Sequence, residues 1–215
     1  MTSVAILSRY PELYSTCRLQ EALRARGVDG RVLQPERCAL HVQQGKFYLY
    51  YEGQVLPPPE LVLPRFGSPL TQLGVRLLRQ LAAQGSYCLN GGDAILHARD
   101  KFLSLQILAG ASLPVPETWY LADASATETA LAQLGKPLVS KLLSGSQGVG
   151  VNLAESRAGA RALVDTLLQL QHETLLQRFL PTGEDYRVIV LGSGALAAMR
   201  RRAGPGEFRS NLHRA

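Results

Sequence analysis

A lysine beside a glycine- and serine-rich stretch is the part of this sequence whose residue types most directly suggest chemistry. Lys141 lies near the end of an apolar run at residues 137–143. Between this run and a second one at 149–153 stand Ser144, Gly145, Ser146, Gln147 and Gly148. Glycine lets backbone N–H groups approach a phosphate closely, and a neighbouring ammonium group adds a point charge. The pattern therefore favours a strand–loop–strand hairpin that covers phosphates.

Two other phosphate-binding motifs do not match this stretch. No Gly-Lys-Ser/Thr closes the loop, which excludes a Walker motif, and no helix starts directly after it, which excludes a dinucleotide-binding fingerprint. Glycine-rich hairpin turns are common, and a lysine at a strand end is usually a solvated surface residue. A plain turn is therefore the alternative interpretation of this stretch taken alone.

Arginine is concentrated near the end of the sequence. Residues 200–202 are all arginine and Arg209 follows, whereas Glu207 is the only acidic residue after position 187. Planar guanidinium groups suit bidentate contacts with phosphate or carboxylate. Because alternate residues of a strand face opposite sides, either Arg201 or the pair Arg200 and Arg202 would face a site. A solvated strand edge is the other interpretation.

Composition sets broad limits on the fold and the partners. The chain has 215 residues, a formal net charge of +6, 46% hydrophobic and 19% charged residues, which is typical of one or two globular domains with anionic partners. Three widely separated cysteines and four histidines show no metal-ligand spacing and suit a reducing compartment. No signal peptide or membrane-spanning stretch is evident. We expect a cytoplasmic protein.

The periodicity of apolar residues predicts an α/β protein. A strand at 4–7, a helix at 13–26 and a strand at 31–33 favour a doubly wound unit. The pattern predicts further elements of this first lobe, namely a hairpin at 46–56, a helix at 71–84, a strand at 87–89 and a helix at 100–109. After Pro114 and Pro116 it predicts strands at 118–121, 138–143, 149–153 and 174–179, helices at 124–134 and 156–170 with Ser156 as N-cap, and an antiparallel pair from Tyr186 to Met199.

A series of short motifs runs along the whole chain in a specific order. They include Ile6-Leu7-Ser8-Arg9, Leu63-Pro64-Arg65-Phe66-Gly67, Ala98-Arg99-Asp100-Lys101, Lys141 with its glycine loop, Gln177-Arg178-Phe179-Leu180, Asp185 with Arg187, and Phe208-Arg209-Ser210-Asn211-Leu212-His213-Arg214. Together they resemble an ATP-grasp carboxylate–amine ligase, and most closely the RimK-type ribosomal-protein glutamate ligases. The resemblance implies an N-terminal doubly wound pre-ATP-grasp domain (1–97), a small α+β lid subdomain (98–180) and the start of an incomplete C-terminal subdomain (181–215).

The resemblance also implies roles for particular residues. Lys101 and Lys141 would lie along the nucleotide phosphates, and the loop at 144–150 would close over them. The hinge that holds adenine by its backbone would be formed by Gln177, Arg178 and Phe179. The family usually has an acidic residue at position 178, a change that a backbone contact tolerates.

Further implied roles fall on residues beyond the hinge. Asp185 would bind ribose, although an Asp after Gly183 also suits a simple turn cap. Arg209, Ser210 and Asn211 would flank the phosphates. Arg201 or Arg202 would stabilise charge on an acyl-phosphate.

The implied reaction uses ATP, Mg²⁺ and glutamate. A substrate carboxylate, at the C-terminus of a small-subunit ribosomal protein, would attack the γ-phosphate, and the glutamate amine would then displace phosphate. The family's Mg²⁺ ligands lie beyond the Arg-Ser-Asn motif, and this sequence ends at Ala215. We therefore expect no metal ligands within it, and inactive or impaired catalysis by a truncated chain.

Other functions remain open at this point. A ligase for a small-molecule or carrier-protein carboxylate is one alternative, and a non-catalytic nucleotide-binding module is another. A nucleic-acid binder is permitted by the net charge, but no aromatic-studded basic motif supports it. Homo-oligomers are common in the family, and no membrane partner is expected.

Overall fold

A computed structural model of the chain describes residues 3–143, 150–204 and 207–208. It divides into two compact units, Met1–Asp100 and Lys101–Ala215. The three-part division expected from the sequence stays a prediction, since this two-way division does not test a boundary at residue 180.

The first unit contains a parallel sheet, a small antiparallel sheet and three helices. Its elements, in chain order, are β1 (Ser3–Leu7), α1 (Tyr14–Arg24), β2 (Asp29–Leu33), β3 (Cys38–Gln43), β4 (Lys46–Tyr51), β5 (Gln54–Leu56), β6 (Leu61–Pro64), α2 (Thr71–Ala83), β7 (Tyr87–Cys88) and α3 (Gly92–Arg99), with 3₁₀ turns at Pro35–Arg37 and Ser68–Leu70.

The parallel sheet has the strand order β2-β1-β6-β7. The apolar run of β1 is buried along Val4–Leu7, as expected for a central strand with both faces covered. Helix α2 buries Leu77, Leu78 and Leu81 against this sheet. The chain leaves β1 for β2 on one side and later returns to β6 on the other, which confirms the expected doubly wound arrangement.

The antiparallel sheet joins β3, β4 and β5. The turn between β4 and β5 has positive φ at Glu52 (52°) and Gly53 (81°), a conformation typical of a two-residue hairpin. The predicted hairpin is therefore confirmed. Strand β3 was not predicted from the sequence, because most of its residues are exposed and it has no run of consecutive large apolar residues.

The second unit is built on a four-stranded antiparallel sheet. Its elements are α4 (Lys101–Gly110), β8 (Thr118–Leu121), α5 (Thr127–Leu134), β9 (Leu138–Leu142), β10 (Val151–Ala154), α6 (Arg157–Gln169), β11 (Thr174–Arg178), β12 (Glu184–Leu191) and β13 (Gly194–Arg202). The sheet has the order β10-β9-β11-β8, and β12 pairs with β13 in a separate ribbon.

Helices α5 and α6 cover one face of this sheet. Leu131 and Val164 of the helices form a core with Leu138 and Leu176 of the strands. The predicted N-cap of α6 is confirmed, since the Ser156 hydroxyl accepts a hydrogen bond from the Gly159 amide at 3.1 Å. The other face of the sheet carries the candidate site.

The helix boundaries differ from the prediction around Asp100. The sequence predicted a single helix from residue 100, whereas the structure has α3 before it and α4 after it. Asp100, between them, has an extended backbone (ψ 110°), so the two helices do not merge. Within the described residues, no helix is long and apolar enough to cross a membrane.

The helix-covered core of the second unit gives a direct stability test. Leu176 is fully buried, so Leu176→Ala is expected to reduce the free energy of unfolding by about 2–5 kcal/mol. Leu170→Ala, at a residue that is 62% exposed, should change it by less than about 0.5 kcal/mol. Trp119 is the only tryptophan of the chain and packs against this core, so its fluorescence during urea unfolding measures both variants. Equal effects of the two substitutions would contradict the assigned core.

Candidate active site

The open face of the four-stranded sheet is lined by alternate residues of its strands. Lys141 stands opposite Val151, and Gln177 stands opposite both Val139 and Thr118. Directly paired residues of antiparallel strands share a face, so these five side chains lie on the face opposite helices α5 and α6. Phe102 of α4 stacks on Tyr120 and covers another part of this face. A cleft of about 300 Å³ forms there, lined by Val139, Lys141, Val151, Gln177, Arg178, Phe179, Leu180, Thr182, Glu184, Asp185 and Phe208.

A chain of hydrogen bonds fixes the polar groups of this cleft. The Lys141 ammonium donates to Oε1 of Gln177 at 2.5 Å, and Nε2 of Gln177 donates to the Thr118 hydroxyl at 2.7 Å. The hydroxyl in turn donates to the carbonyl of Pro116 at 2.8 Å. Gln177 is only 8% exposed, so both ends of its amide need partners. The network therefore holds Lys141 in one orientation.

Lys101 supplies a second cation near the end of β9. Its ammonium group donates to the carbonyls of Leu142 and Leu143, each at 2.9 Å. These carbonyls belong to the residues that immediately precede the glycine-rich stretch. Burial, and then the positive charge of Lys101, lower the pKa of Lys141 from its ordinary value. Within the described residues Lys141 forms no ion pair, so an anion in the cleft would stabilise both charges.

Asp185 and Arg201 form a bidentate ion pair across the β12–β13 ribbon. Nε and Nη2 of Arg201 donate to the two carboxylate oxygens of Asp185, each at 2.6 Å. Arg202 lies on the opposite side of the strand and pairs with Glu184 at 3.3 Å. The two candidate arginines therefore lie on different sides of the strand, and each pairs with a carboxylate residue that lines the cleft.

Arg178 lines the cleft, but its charged side chain points away from it. Its guanidinium pairs with Glu117 and donates to the carbonyl of Gln133 in α5 at 3.3 Å, so it points toward the helix-covered side. Its amide donates to the carbonyl of Glu117 at 2.9 Å. That N–H is already used within the protein, and the cation is balanced by a carboxylate.

Some predicted site residues lie outside the described part of the chain. These are Ser144, Gly145, Ser146, Gln147, Gly148, Arg209, Ser210 and Asn211. The described candidates fall into two groups, those that line the cleft (Lys141, Gln177, Arg178, Phe179, Asp185) and those that do not (Lys101, Arg201, Arg202). In the described ranges, no three His, Cys, Asp or Glu residues are grouped as metal ligands.

The apolar walls and the end of the hydrogen-bond chain were not predicted from the sequence. Val139 lies two residues before Lys141 on β9, and Val151 lies opposite Lys141 on β10. Phe208 meets Phe179 edge-on with ring centroids 6.4 Å apart. The alternation of the strands could have indicated the two valines. Thr118 could not be found that way, because it contacts Gln177 from 59 positions away in the sequence.

Comparison with solved structures identifies the class of protein. The chain is similar to a RimK-domain ATP-grasp protein from Sphaerobacter thermophilus, with 26% identity and a TM-score of 0.69, covering 93% of this chain and 72% of that one. It also superimposes on the ATP-grasp ligase PsnB complexed with a minimal precursor, with 21% identity and a TM-score of 0.73, covering 97% and 74% of the two chains. The fold is that of the ATP-grasp ligases.

Sequence comparison narrows this class to one family. The RimK PreATP-grasp domain model matches residues 2–95, and the RimK-like ATP-grasp domain model matches residues 98–215. Probable alpha-L-glutamate ligases of Thioalkalivibrio sulfidiphilus and Hahella chejuensis are 43% and 42% identical, each covering 98% of this chain and 71% of the relative. The chain belongs to the RimK family and is an ATP-dependent carboxylate–amine ligase.

The coupling between the two lysines can be measured. Lys101→Gln removes a positive charge that lowers the pKa of Lys141, so that pKa is expected to rise. Lysine side-chain NMR across a pH titration measures it, with Lys46→Gln, an exposed lysine of the first unit, as the charge-matched control.

The same shift has a consequence for stability. Because the pKa of folded Lys141 lies below its unfolded value, the unfolded chain binds more protons at pH values between the two. The contribution of Lys141 to stability therefore rises with pH in that interval, and Lys101→Gln should reduce this slope. An unchanged Lys141 pKa in Lys101→Gln would show that burial alone lowers it.

Proposed function

We propose that this chain transfers glutamate to the C-terminal carboxylate of a small-subunit ribosomal protein, using ATP. The observation that carries the proposal is the fixed ammonium group of Lys141, which Gln177 holds in the cleft of the second unit, directly before the glycine-rich stretch. Relatives at 43% identity are named as probable alpha-L-glutamate ligases, which supports glutamate as the amine substrate. A cytoplasmic location goes with this proposal.

The nucleotide is proposed to occupy the cleft of the second unit. Its base would lie between Val139 and Val151, near Phe208, where apolar walls suit an aromatic ring. The ribose would hydrogen-bond to Asp185. Arg201 orients this carboxylate through its two contacts.

The phosphates are proposed to meet the two lysines. Lys141 would contact them directly, and Lys101 would add charge while holding the carbonyls of Leu142 and Leu143. The stretch at 144–148 would cover the phosphates, and Arg209, Ser210 and Asn211 would flank them. Arg201 or Arg202 would stabilise the developing charge. Arg178 is proposed to serve the base through its backbone carbonyl only, because its amide N–H and its side chain both pair with Glu117.

The proposed reaction has two steps. The acceptor carboxylate attacks the γ-phosphorus of ATP, forming an acyl-phosphate and releasing ADP. The amine of glutamate then attacks the acyl carbon, the amide forms, and phosphate leaves with its electron pair. Mg²⁺, when bound, neutralises charge on the phosphates. Since the described residues contain no ligand group for it, we assign none of them to the metal.

A peptide acceptor is favoured over a small molecule. Solved ATP-grasp relatives include PsnB complexed with a minimal precursor and a Chryseobacterium gregarium ligase in complex with ADP and a leader and core peptide. These two ligases are complexed with a precursor or with peptides, and we propose a peptide acceptor here. The acidic C-terminus of a ribosomal protein is the specific target we propose.

Mass spectrometry of a short peptide ending in Glu-Glu tests the function. After incubation with the chain, Mg-ATP and glutamate, we expect products spaced by one glutamyl residue. Lys141→Met should lower the ATP affinity by about 10- to 100-fold, because a charge-assisted contact is lost. The same peptide with a C-terminal amide is the matched control, since it keeps its side-chain carboxylates but lacks the C-terminal carboxylate that the proposed reaction activates.

The result also tests the expectation of impaired catalysis. Extension of the amidated peptide, or equal extension by Lys141→Met, would contradict the proposed mechanism. Tight ATP binding that depends on Lys141, without any extension, would instead favour the impaired ligase or the non-catalytic nucleotide-binding module. A nucleotide titration of the same samples measures the ATP affinity and its dependence on Lys141, which separates these outcomes.

A further inference from the structure

The first unit contains a cavity that the proposed nucleotide site does not use. It encloses about 530 Å³ and is formed by the segments that follow β1, β6 and β7, together with the end of α3. Its lining residues are Ser8, Arg9, Tyr10, Leu13, Pro64, Arg65, Phe66, Gly67, Pro69, Leu70, Asn90, Ile95, Ala98 and Arg99. We call it the first-unit cavity.

The topology of the parallel sheet explains why a cavity lies there. After β1 the chain moves to β2 on one side, and β6 then pairs with β1 on the other. The segments leaving the carboxyl ends of β1 and β6 therefore diverge and leave a crevice between them. In open parallel sheets, ligands bind in this crevice.

The charges around the first-unit cavity have one sign. Arg9, Arg65 and Arg99 line it, and the lining contains no Asp or Glu among the described residues. Arg9 is neutralised by Glu36, with Nε 2.7 Å from a carboxylate oxygen. In contrast, Arg65 and Arg99 form no ion pair with any described residue. Two guanidinium groups thus face the cavity without a balancing carboxylate.

Neighbouring groups hold these two arginines in place. Nη2 of Arg99 donates to the Phe66 carbonyl at 2.8 Å, and its guanidinium carbon lies 5.8 Å from the Phe66 ring centroid. Nη2 of Arg65 donates to the Ser15 hydroxyl at 3.3 Å. Burial lowers the pKa of Arg99 because desolvation disfavours its charged form, a cost that a bound anion would offset. Each guanidinium keeps further N–H donors for a ligand.

We infer that the first-unit cavity binds the carboxylates of an acidic substrate, with Arg65 and Arg99 as its cationic contacts and Asn90 as a neutral donor. Guanidinium groups match planar carboxylates in a bidentate way. The apolar wall of Leu13, Leu70 and Ile95 suits the methylene groups of a glutamyl side chain. This inference rests on the proposed function, which supplies acidic substrates. It goes further by assigning their carboxylates to named residues of the first unit.

Two ligands carry carboxylates of the kind that this cavity would bind. Free glutamate carries two carboxylates that the proposed reaction leaves intact, and an acidic peptide end carries a side-chain carboxylate beside its terminal one. Calorimetric titration of the full chain with glutamate, and separately with an acetylated peptide ending in Glu-Glu, distinguishes the two sources. Each titration is run with and without a non-hydrolysable ATP analogue.

The central variant is Arg65→Gln, at an exposed residue whose replacement leaves the core intact. It should weaken binding of one of the two ligands by about 10- to 100-fold, through loss of a charged hydrogen-bonding partner. Arg65→Lys, which keeps the charge and loses the planar fork, should have a smaller effect. Arg76→Gln, at an exposed arginine of α2 that does not line the cavity, is the matched control and should bind like the unmodified chain.

Several results would overturn the inference. These are equal affinities in Arg65→Gln and Arg76→Gln, no saturable binding of either ligand at millimolar concentrations, or displacement of glutamate by inorganic phosphate with equal affinity. Affinity for the ATP analogue should stay the same in all variants, which also confirms that they fold.

The inference and the proposed function fail in different ways. If the peptide is extended and the KM values for glutamate and peptide are unchanged in Arg65→Gln, the function stands and the carboxylate site is wrong. If no extension occurs but carboxylate binding still depends on Arg65, the site stands and the proposed reaction is wrong.

Discussion

The burial of a lysine ammonium group on a sheet face is the constraint on which the second unit depends. Strand alternation assigns Leu138 and Leu176 to the helix-covered core and leaves Lys141 and Gln177 on the opposite face. A second layer of apolar residues there would leave the ammonium group without a partner, which is costly. One face of the sheet therefore packs against α5 and α6, whereas the other carries both the buried Leu175 and the polar groups of the cleft. The Gln177–Thr118 contact keeps the lysine in place.

Much of this arrangement follows from patterns that are local in the sequence. Apolar runs of four to eight residues predicted β8, β9 and β11, and the serine before α6 predicted its N-cap, because both patterns depend on nearest neighbours. The network around Lys141 could not be predicted in this way. It joins residues 36 and 59 positions apart through single side chains, and only the register of β8, β9 and β11 brings them together. Strand β3 was missed for a related reason. Its extended conformation is fixed by hydrogen-bonded pairing with β4, and its own residues give only a weak strand pattern.

Arginines show most clearly what a sequence leaves undetermined. Arg178 and Arg201 stand in motifs that suggested ligand contacts, and the fold gives each a carboxylate partner, Glu117 and Asp185. Glu117 precedes Arg178 by 61 positions, so no local pattern connects them. A charged residue that is already paired can orient a neighbour, as Arg201 orients Asp185. It has less to gain from an anionic ligand than an unpaired one, because part of its charge is balanced within the protein.

The same reasoning applies to the cations that form no ion pair within the described residues. A cation kept near low-dielectric surroundings without a carboxylate is unfavourable unless something else compensates it. Lys141 in the second unit and Arg99 in the first are in that position within the described residues, whereas Arg9, Arg178 and Arg201 are not. Arg65 forms no ion pair with a described residue either, but it is exposed. All three of these unpaired cations line cavities, where a ligand can reach them. The absence of an ion pair together with a place in a cavity thus distinguishes these cations from the arginines that pair within the structure, a distinction that residue type alone does not make.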